Sequence, residues 1–162
     1  METKKIIAAA IAGTSAMTLF SYLISADKKK NLKEPEHIKE VIEDVKPSID
    51  NEKSALAAWG THYGVGLAFS SIFSQIWEKT PVKPGLLSGA FLGALSGIAG
   101  IMSWSEAFKL DPDTNAKNFK EYYAHLMASH IIFGIGAAAG YKLMEKEKIS
   151  DKIRRQIGVS LN

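Results

Sequence analysis

Residues 85–104 read GLLSGAFLGALSGIAGIMSW, a run of 20 positions without a charged side chain. A helix of about 20 residues is long enough to cross the ~30 Å hydrocarbon core of a bilayer. A helix of a soluble bundle would show a polar face, and this stretch lacks one. The stretch therefore predicts a transmembrane helix, against which the other apolar segments can be compared.

Three further segments are similarly long and carry almost no charge. They run over residues 6–26, 55–77 and 122–144. Together the four segments predict an all-α, four-helix transmembrane bundle in a single domain. The first segment could instead be a signal peptide, but Ile24 stands where a small residue should precede the cleavage site. We therefore expect a retained helix.

The connections between the segments differ in length. Residues 78–84 contain Pro81 and Pro84, and they form a short turn that predicts an antiparallel hairpin of the second and third helices. The long connection 27–54 has apolar residues spaced i, i+3, i+4 and i+7, which predicts an amphipathic helix over residues 35–46. This helix would lie on the membrane surface, over the bundle, or against another protein. Its apolar residues are Ile38, Val41, Ile42 and Val45.

Four crossings would place both termini on one side of the membrane. Lysine and arginine are nearly balanced between the two sides, and the short turn and the arginine pair near the C-terminus favour cytoplasmic termini. The connections 27–54 and 106–120 would then lie on the opposite side. The second of these carries a turn signal at residues 111–113. The polar tail, residues 145–162, would extend the last helix into water.

Glycine is regularly spaced in the third segment and clustered in the fourth. In lipid, small residues let helix backbones approach closely, and packing replaces the hydrophobic driving force. We therefore predict that the glycine-bearing faces mediate helix packing, within one chain or between two copies. The glycines are Gly85, Gly89, Gly93, Gly97 and Gly134.

Ionisable residues gather at one end of the predicted bundle. Glu121 and His125 are four residues apart and share a helix face, whereas His130 lies roughly 140° around the helix from His125. His62 and Glu106 come from the second and third helices at the same end. Because ionisable groups are costly within a membrane, they are expected to face the bundle interior. The sequence therefore predicts a polar site in this half of the bundle.

Three interpretations of the polar site stay open. Histidines could bind a metal ion or a haem, with His62 and either His125 or His130 on facing helices. The site could instead take up and pass protons, or its side chains could only hydrogen-bond the helices together. His37, in the charged connection, is expected to be exposed to solvent. Nearby aromatic residues typical of a membrane interface are Trp59, Trp104, Tyr122 and Tyr123.

Composition excludes several classes of protein. The chain has no cysteine, which excludes disulfides, thiolate nucleophiles and cysteine-ligated metal sites. The net charge is +3, but no basic face interleaved with aromatic residues predicts nucleic-acid binding. No nucleophile elbow, phosphate loop, zinc-protease motif or dinucleotide fingerprint occurs. We therefore expect a non-enzymatic protein whose partners are the lipid bilayer and either a second copy or a larger membrane complex.

The order of these motifs resembles the YagU-like family of small bacterial inner-membrane proteins. The resemblance covers about residues 55–145, from T-H-Y-G through the glycine-rich helix to E-Y-Y-A-H. It implies an inner-membrane location and a contribution to acid tolerance. His130 has no match in the resemblance, and the connection 27–54 differs in sequence. The matching residues are His62, Gly85, Gly89, Glu121 and His125.

Two other kinds of protein fit the same sequence. The first is a small accessory subunit of a larger respiratory or secretion complex, in which the histidines could hold haem. The second is a transporter, which would have to be a dimer because four helices leave little room for a pathway and no inverted repeat is visible.

Overall fold

The computed structural model describes residues 2–109 and 119–157, which form five α-helices. No β-strand occurs in these two ranges, so the all-α prediction is confirmed for them. The turn predicted at residues 111–113 lies outside the described residues. The helices are α1 (Glu2–Lys28), α2 (Glu34–Val45), α3 (Asn51–Lys79), α4 (Leu86–Lys109) and α5 (Phe119–Ile157).

Three of the helices are long and apolar enough to cross a membrane. The spans are Thr3–Lys28 in α1, Leu86–Phe108 in α4 and Lys120–Lys146 in α5. Helix α3 contains the predicted segment 55–77 and is not one of the three, because serine, threonine, histidine and glutamine lower the hydropathy of its sequence. The prediction of membrane-spanning helices thus finds support for three segments, and the four-helix bundle is not confirmed.

Local signals set the beginnings of α2 and α3. Pro35 lies in the first turn of α2, where a missing N–H removes no helical hydrogen bond. Asp50 is the N-cap of α3, and its Oδ1 accepts hydrogen bonds from the backbone N–H of Glu52 at 2.9 Å and of Lys53 at 3.4 Å. Helices α2 and α3 therefore each begin at a local signal of their own, although only a short connection joins them.

The C-terminus of α1 has an unusual residue in its cap. Lys29 has a φ of 52°, in the left-handed region that favours glycine. The N–H of Lys30 donates to the carbonyl of Ser25 at 3.2 Å, which is the bond of a Schellman motif. This cap turns the chain sharply out of α1 and toward α2.

The long helices follow one another in the lateral order α3, α1, α5, α4. Helix α5 packs along both α1 and α4, α1 also packs against α3, and α2 lies on α3. The outer helices α3 and α4 are consecutive in the chain but make few close backbone contacts. The hairpin expected for them is therefore not a closely packed pair, and a gap separates the two helices.

Glycines lie where α4 meets α5. A Cβ added at Gly89 would lie 2.5 Å from the carbonyl oxygen of Gly134, and one added at Gly93 would overlap the backbone of His130 and Ile131. A Cβ at Gly97 would lie 2.9 Å from a methionine sulfur of α5. Since real Cβ atoms do not approach backbone atoms this closely, any side chain at Gly89 or Gly93 would separate the helices.

Gly85 differs from the other glycines of this segment. The nearest atom to a Cβ added there would be Lys142 Nζ, at 3.9 Å. This is an ordinary contact distance. Gly85 precedes α4 in the turn between the two outer helices, where the neighbouring backbones have not yet come together.

Two apolar cores occupy opposite ends of the helices. The larger contains Phe73, Phe133 and Tyr141, and the smaller contains Tyr122 and Leu126 beneath the chain that leads into α2. Tyr122, one of the aromatic residues predicted for the membrane interface, is only 6% exposed. It is instead packed inside the end of the bundle that carries the predicted polar site.

Candidate functional site

A cavity of about 430 Å³ lies between α3 and α4 beneath α2. Ile38, Val41 and Ile42 from the apolar face of α2 line it, whereas Val45 is 80% exposed. The amphipathic helix therefore covers the bundle and closes one side of the cavity. Small-molecule sites in proteins commonly have volumes of ≈ 300–1,000 Å³, so the size of the cavity suits a small ligand.

The cavity opens outward between α3 and α4. Thr61 and Val65 of α3 and Ser103 of α4 all line the cavity, and all three are exposed. Among the described residues of the lining, none is a lysine or an arginine. The opening therefore leads from the side of the bundle into a space that is largely apolar and has no positive charge on its wall.

Glu34 is a buried acid at the start of α2 that also lines the cavity. Its side chain is 3% exposed. Oε1 accepts a hydrogen bond from Ser21 Oγ at 3.2 Å, and Oε2 has no hydrogen-bond partner among the described residues. Burial disfavours the charged carboxylate and raises the pKa of Glu34 from 4.5 to about 7. The group can therefore change its charge near neutral pH.

A hydrogen-bonded chain connects Glu34 to the interface of α1 and α5. Because Ser21 donates its hydrogen to Glu34, its oxygen acts as an acceptor toward its two other neighbours, Ser129 Oγ and His125 Nε2, each at 3.1 Å. Ser129 Oγ and His125 Nε2 are themselves 3.2 Å apart, and the imidazole stacks on Phe20. The chain thus joins three helices through buried polar side chains.

His62 reaches the cavity from α3. Its Nε2 lies 2.9 Å from Thr18 Oγ1. The Thr18 hydroxyl donates its single hydrogen to the carbonyl of Thr14 at 2.7 Å, so it can only accept from the histidine. His62 therefore donates through Nε2–H, and in the neutral ring Nδ1 carries the free lone pair.

His130 lines the cavity from α5. Its Nδ1 lies 2.9 Å from the carbonyl oxygen of Leu126, and because a carbonyl only accepts, Nδ1 carries the hydrogen. Nε2 keeps the lone pair of the neutral ring. This nitrogen faces α4, since a Cβ added at Gly100 would lie 3.1 Å from it. Both cavity histidines are therefore hydrogen-bond acceptors at one ring nitrogen.

The two acids predicted for the site lie outside the cavity. Glu121 pairs with Lys28, the last residue of α1, at 3.0 Å and with Lys30 just after that helix. Glu106 is an exposed residue of α4 and does not line the cavity. Glu121 and His125, which were expected to share a helix face, both contact α1. His62 and His130 thus line the same cavity, whereas the other predicted polar residues lie outside its lining.

His37 does not have the solvent exposure expected for it. It is 6% exposed, with Nε2 3.1 Å from the carbonyl oxygen of Asn31 and Nδ1 2.9 Å from Glu40 Oε2. Its ring centroid is 5.0 Å from that of Tyr122. The expectation was wrong because α2 folds back over the bundle and turns this residue of a charged segment onto the smaller core.

The described residues contain no group of three or more histidine, cysteine, aspartate or glutamate side chains placed to hold a metal ion. Comparisons with family models, with curated proteins and with solved structures found no match to the chain. Function is therefore inferred from the geometry of the polar groups around the cavity.

Proposed function

We propose that this chain is a multi-pass protein of a bacterial inner membrane, with α3 as the fourth crossing and both termini in the cytoplasm. Support comes from large apolar side chains on the outer surface of α3, which include Leu67 and Ile72 at 43% and 51% exposure. Apolar surface of this kind is rare on soluble monomers and suits contact with lipid. Helix α3 also packs along α1, one of the three apolar spans.

The proposed activity is proton handling without catalysis. The observation that carries it is the hydrogen-bonded chain from Glu34 through Ser21 to Ser129 and His125. Hydroxyl groups in such a chain can donate and accept at once, and chains of acids and histidines within membranes serve as proton relays. Acidification through neutral pH would protonate Glu34, and the hydroxyls would reorient in response.

The resemblance to YagU-like proteins is part of this proposal. It supplies the expectation of acid tolerance through His62, Glu121 and His125. A carboxyl group that is protonated as the pH falls through neutrality is the kind of group that such a role requires. Glu34 lies in the connection 27–54, outside the residues that the resemblance covers and in a stretch that differs in sequence, so the resemblance gives it no role.

The test is infrared spectroscopy of the full chain in nanodiscs, with the carbonyl stretch of protonated carboxyl groups followed against pH. We expect a component that titrates near neutral pH in the unaltered protein and is missing in Glu34→Gln. Glu36→Gln is the matched control, because this acid lies on the same helix, pairs with Lys33 and does not line the cavity. A titration that survives in Glu34→Gln would exclude Glu34 as the proton acceptor.

The same sample separates this proposal from that of a haem-binding accessory subunit. An absorbance spectrum of protein purified from its native membrane would show a Soret band if the histidines held haem. Native mass spectrometry would show whether it co-purifies with a larger complex. A colourless monomer or homodimer agrees with stand-alone proton handling, and a coloured assembly contradicts it.

A further inference from the structure

We propose that the cavity between α3 and α4 binds a primary ammonium group carried on an apolar body, with the Glu34 carboxylate as its counter-ion. This rests on the proposed function, because the ammonium ion and the proton would compete for the same carboxylate. The ligand class follows from three features: the polar groups of the lining, its apolar surface, and the place where the cavity opens.

The polar groups that line the cavity are mainly acceptors. Glu34 Oε2 has no partner among the described residues, and the neutral rings of His62 and His130 each keep one lone pair, as their other nitrogens donate to Thr18 and to the carbonyl of Leu126. A primary ammonium ion has three N–H donors and no acceptor. It therefore complements these acceptors in polarity, and it can supply the hydrogen-bond donor that Glu34 Oε2 lacks.

The rest of the lining favours an apolar body. The face of α2 supplies aliphatic side chains, and Phe69, Phe133 and Trp104 supply aromatic ones. Tryptophan is also the aromatic residue that attracts cations most strongly. An anion is disfavoured, because the lining carries a carboxylate and, among its described residues, no lysine or arginine.

The opening between α3 and α4 indicates how such a ligand would enter. Val65 and Ser103 line the cavity and are exposed on the outer side of the bundle. If both helices span the bilayer, this side faces lipid. A hydrophobic amine dissolved in the membrane and the ethanolamine head group of a lipid share the required chemistry, and both could reach the opening from the side.

The experiment measures binding of phenethylamine to the full chain in phosphatidylcholine nanodiscs, at a pH well above the pKa of Glu34. Empty nanodiscs correct for partitioning into lipid. We expect saturable binding that weakens at least about tenfold for the trimethylammonium analogue, because that cation has no N–H donors and leaves the acceptors unpaired. Phenylpropionate, of similar shape and opposite charge, should not bind.

Variants assign the binding to Glu34. We expect Glu34→Gln to weaken phenethylamine binding by about tenfold to a hundredfold, the range for a charge-assisted hydrogen bond, and Glu36→Gln to leave it unchanged. Thermal unfolding and gel filtration check that each variant is folded. Equal binding of the primary and trimethylated amines by the unaltered protein, or no saturable binding, would overturn the proposal even if Glu34→Gln does not fold.

Two further comparisons identify the source of the ligand and separate the two proposals. If phosphatidylethanolamine in the nanodisc suppresses phenethylamine binding, the occupant is a lipid head group, and if it does not, the occupant is a free amine. If the carboxyl band titrates but phenethylamine does not bind, the ammonium site is excluded and proton handling stands. If phenethylamine binds but the carboxyl band does not titrate, proton handling is excluded and the ammonium site stands.

Discussion

Glu34 Oε1 accepts a hydrogen bond from Ser21 Oγ at 3.2 Å, and this contact ties the first residue of α2 to the middle of the α1–α5 interface. The contact is buried. The short helix that covers the cavity is therefore held at its N-terminus by a titratable group. The position of α2 is thus linked to the charge of Glu34.

Stability should fall as the pH rises through the range in which Glu34 ionises. Its pKa is about 7 in the folded chain and 4.5 in the reference state, so the folded state holds the proton more tightly. The stability that protonated Glu34 contributes is fully present below pH 4.5 and is lost as the pH rises through 7. The shift corresponds to about 3 kcal/mol. Thermal unfolding in detergent as a function of pH measures the effect.

Glu34→Gln should abolish most of this pH dependence and raise Tm at alkaline pH, because the amide is neutral at every pH. Glu36→Gln should retain the dependence. A slope of Tm against pH that is the same in Glu34→Gln and the unaltered protein would contradict the assignment. The other titratable side chains near Glu34 or around its cavity are His37, His62, Tyr122, His125 and His130.

Glu121→Gln should have a much smaller effect than Glu34→Gln. Glu121 pairs with Lys28 and Lys30, whose side chains are 44% and 52% exposed, and solvent and salt screen such pairs. We expect a small decrease in Tm at low ionic strength that vanishes at high salt. A large, salt-independent decrease would show that Glu121 has a buried role that its ion pairs do not explain.

Gly93→Ala should separate α4 from α5. The added methyl group would meet the backbone of His130 and lie 2.9 Å from Ile131 Cα, and overpacking of this kind costs about 1–3 kcal/mol. Gly60→Ala is the matched control, because a Cβ added there meets nothing within 4 Å. The Gly60→Ala substitution should stabilise α3 by about 0.5–1 kcal/mol. Equal Tm values for the two variants would argue against close α4–α5 packing.

Lys29→Gly should stabilise the protein. Lys29 has a φ of 52°, and the left-handed conformation costs a non-glycine residue about 1–2 kcal/mol, part of which glycine loses again through its freedom in the unfolded chain. We expect a rise in Tm equivalent to about 0.5–1 kcal/mol. Asp27→Gly, within the same helix, should lower Tm. A decrease in Tm in both variants would contradict the left-handed conformation of Lys29 in the cap.

The helices were largely predictable from the sequence, because their signals are local. The amphipathic helix predicted over residues 35–46 is observed as Glu34–Val45, since apolar spacing and Pro35 suffice to place it. His62 and His130 could be placed at one end by their depth in their helices. The lateral order of the helices could not be predicted, because glycine spacing shows that a helix packs closely but not against which partner.

Glu34 could not be recognised from the sequence as a site residue. It lies in the stretch K-N-L-K-E-P-E-H, residues 30–37, where acids and bases alternate as they do in solvated segments. Glu34 is buried where α2 folds back and the side chain contacts Ser21 of α1, and such a tertiary contact leaves no local pattern in the sequence. His37 was misjudged for the same reason. The only available signal was the amphipathic helix itself, whose apolar face required a partner surface.

Helix α5 packs along both α1 and α4, yet it follows all the other helices in the chain. Until the ribosome has produced α5, α1 and α4 therefore lack their main packing surface, and the glycine face of α4 has no helix to pack against. Contacts between segments this distant in sequence form late. Helices α1 and α3 can pair before then, but α4 is joined to them through α5, so the bundle becomes one packed unit only after α5 has been made.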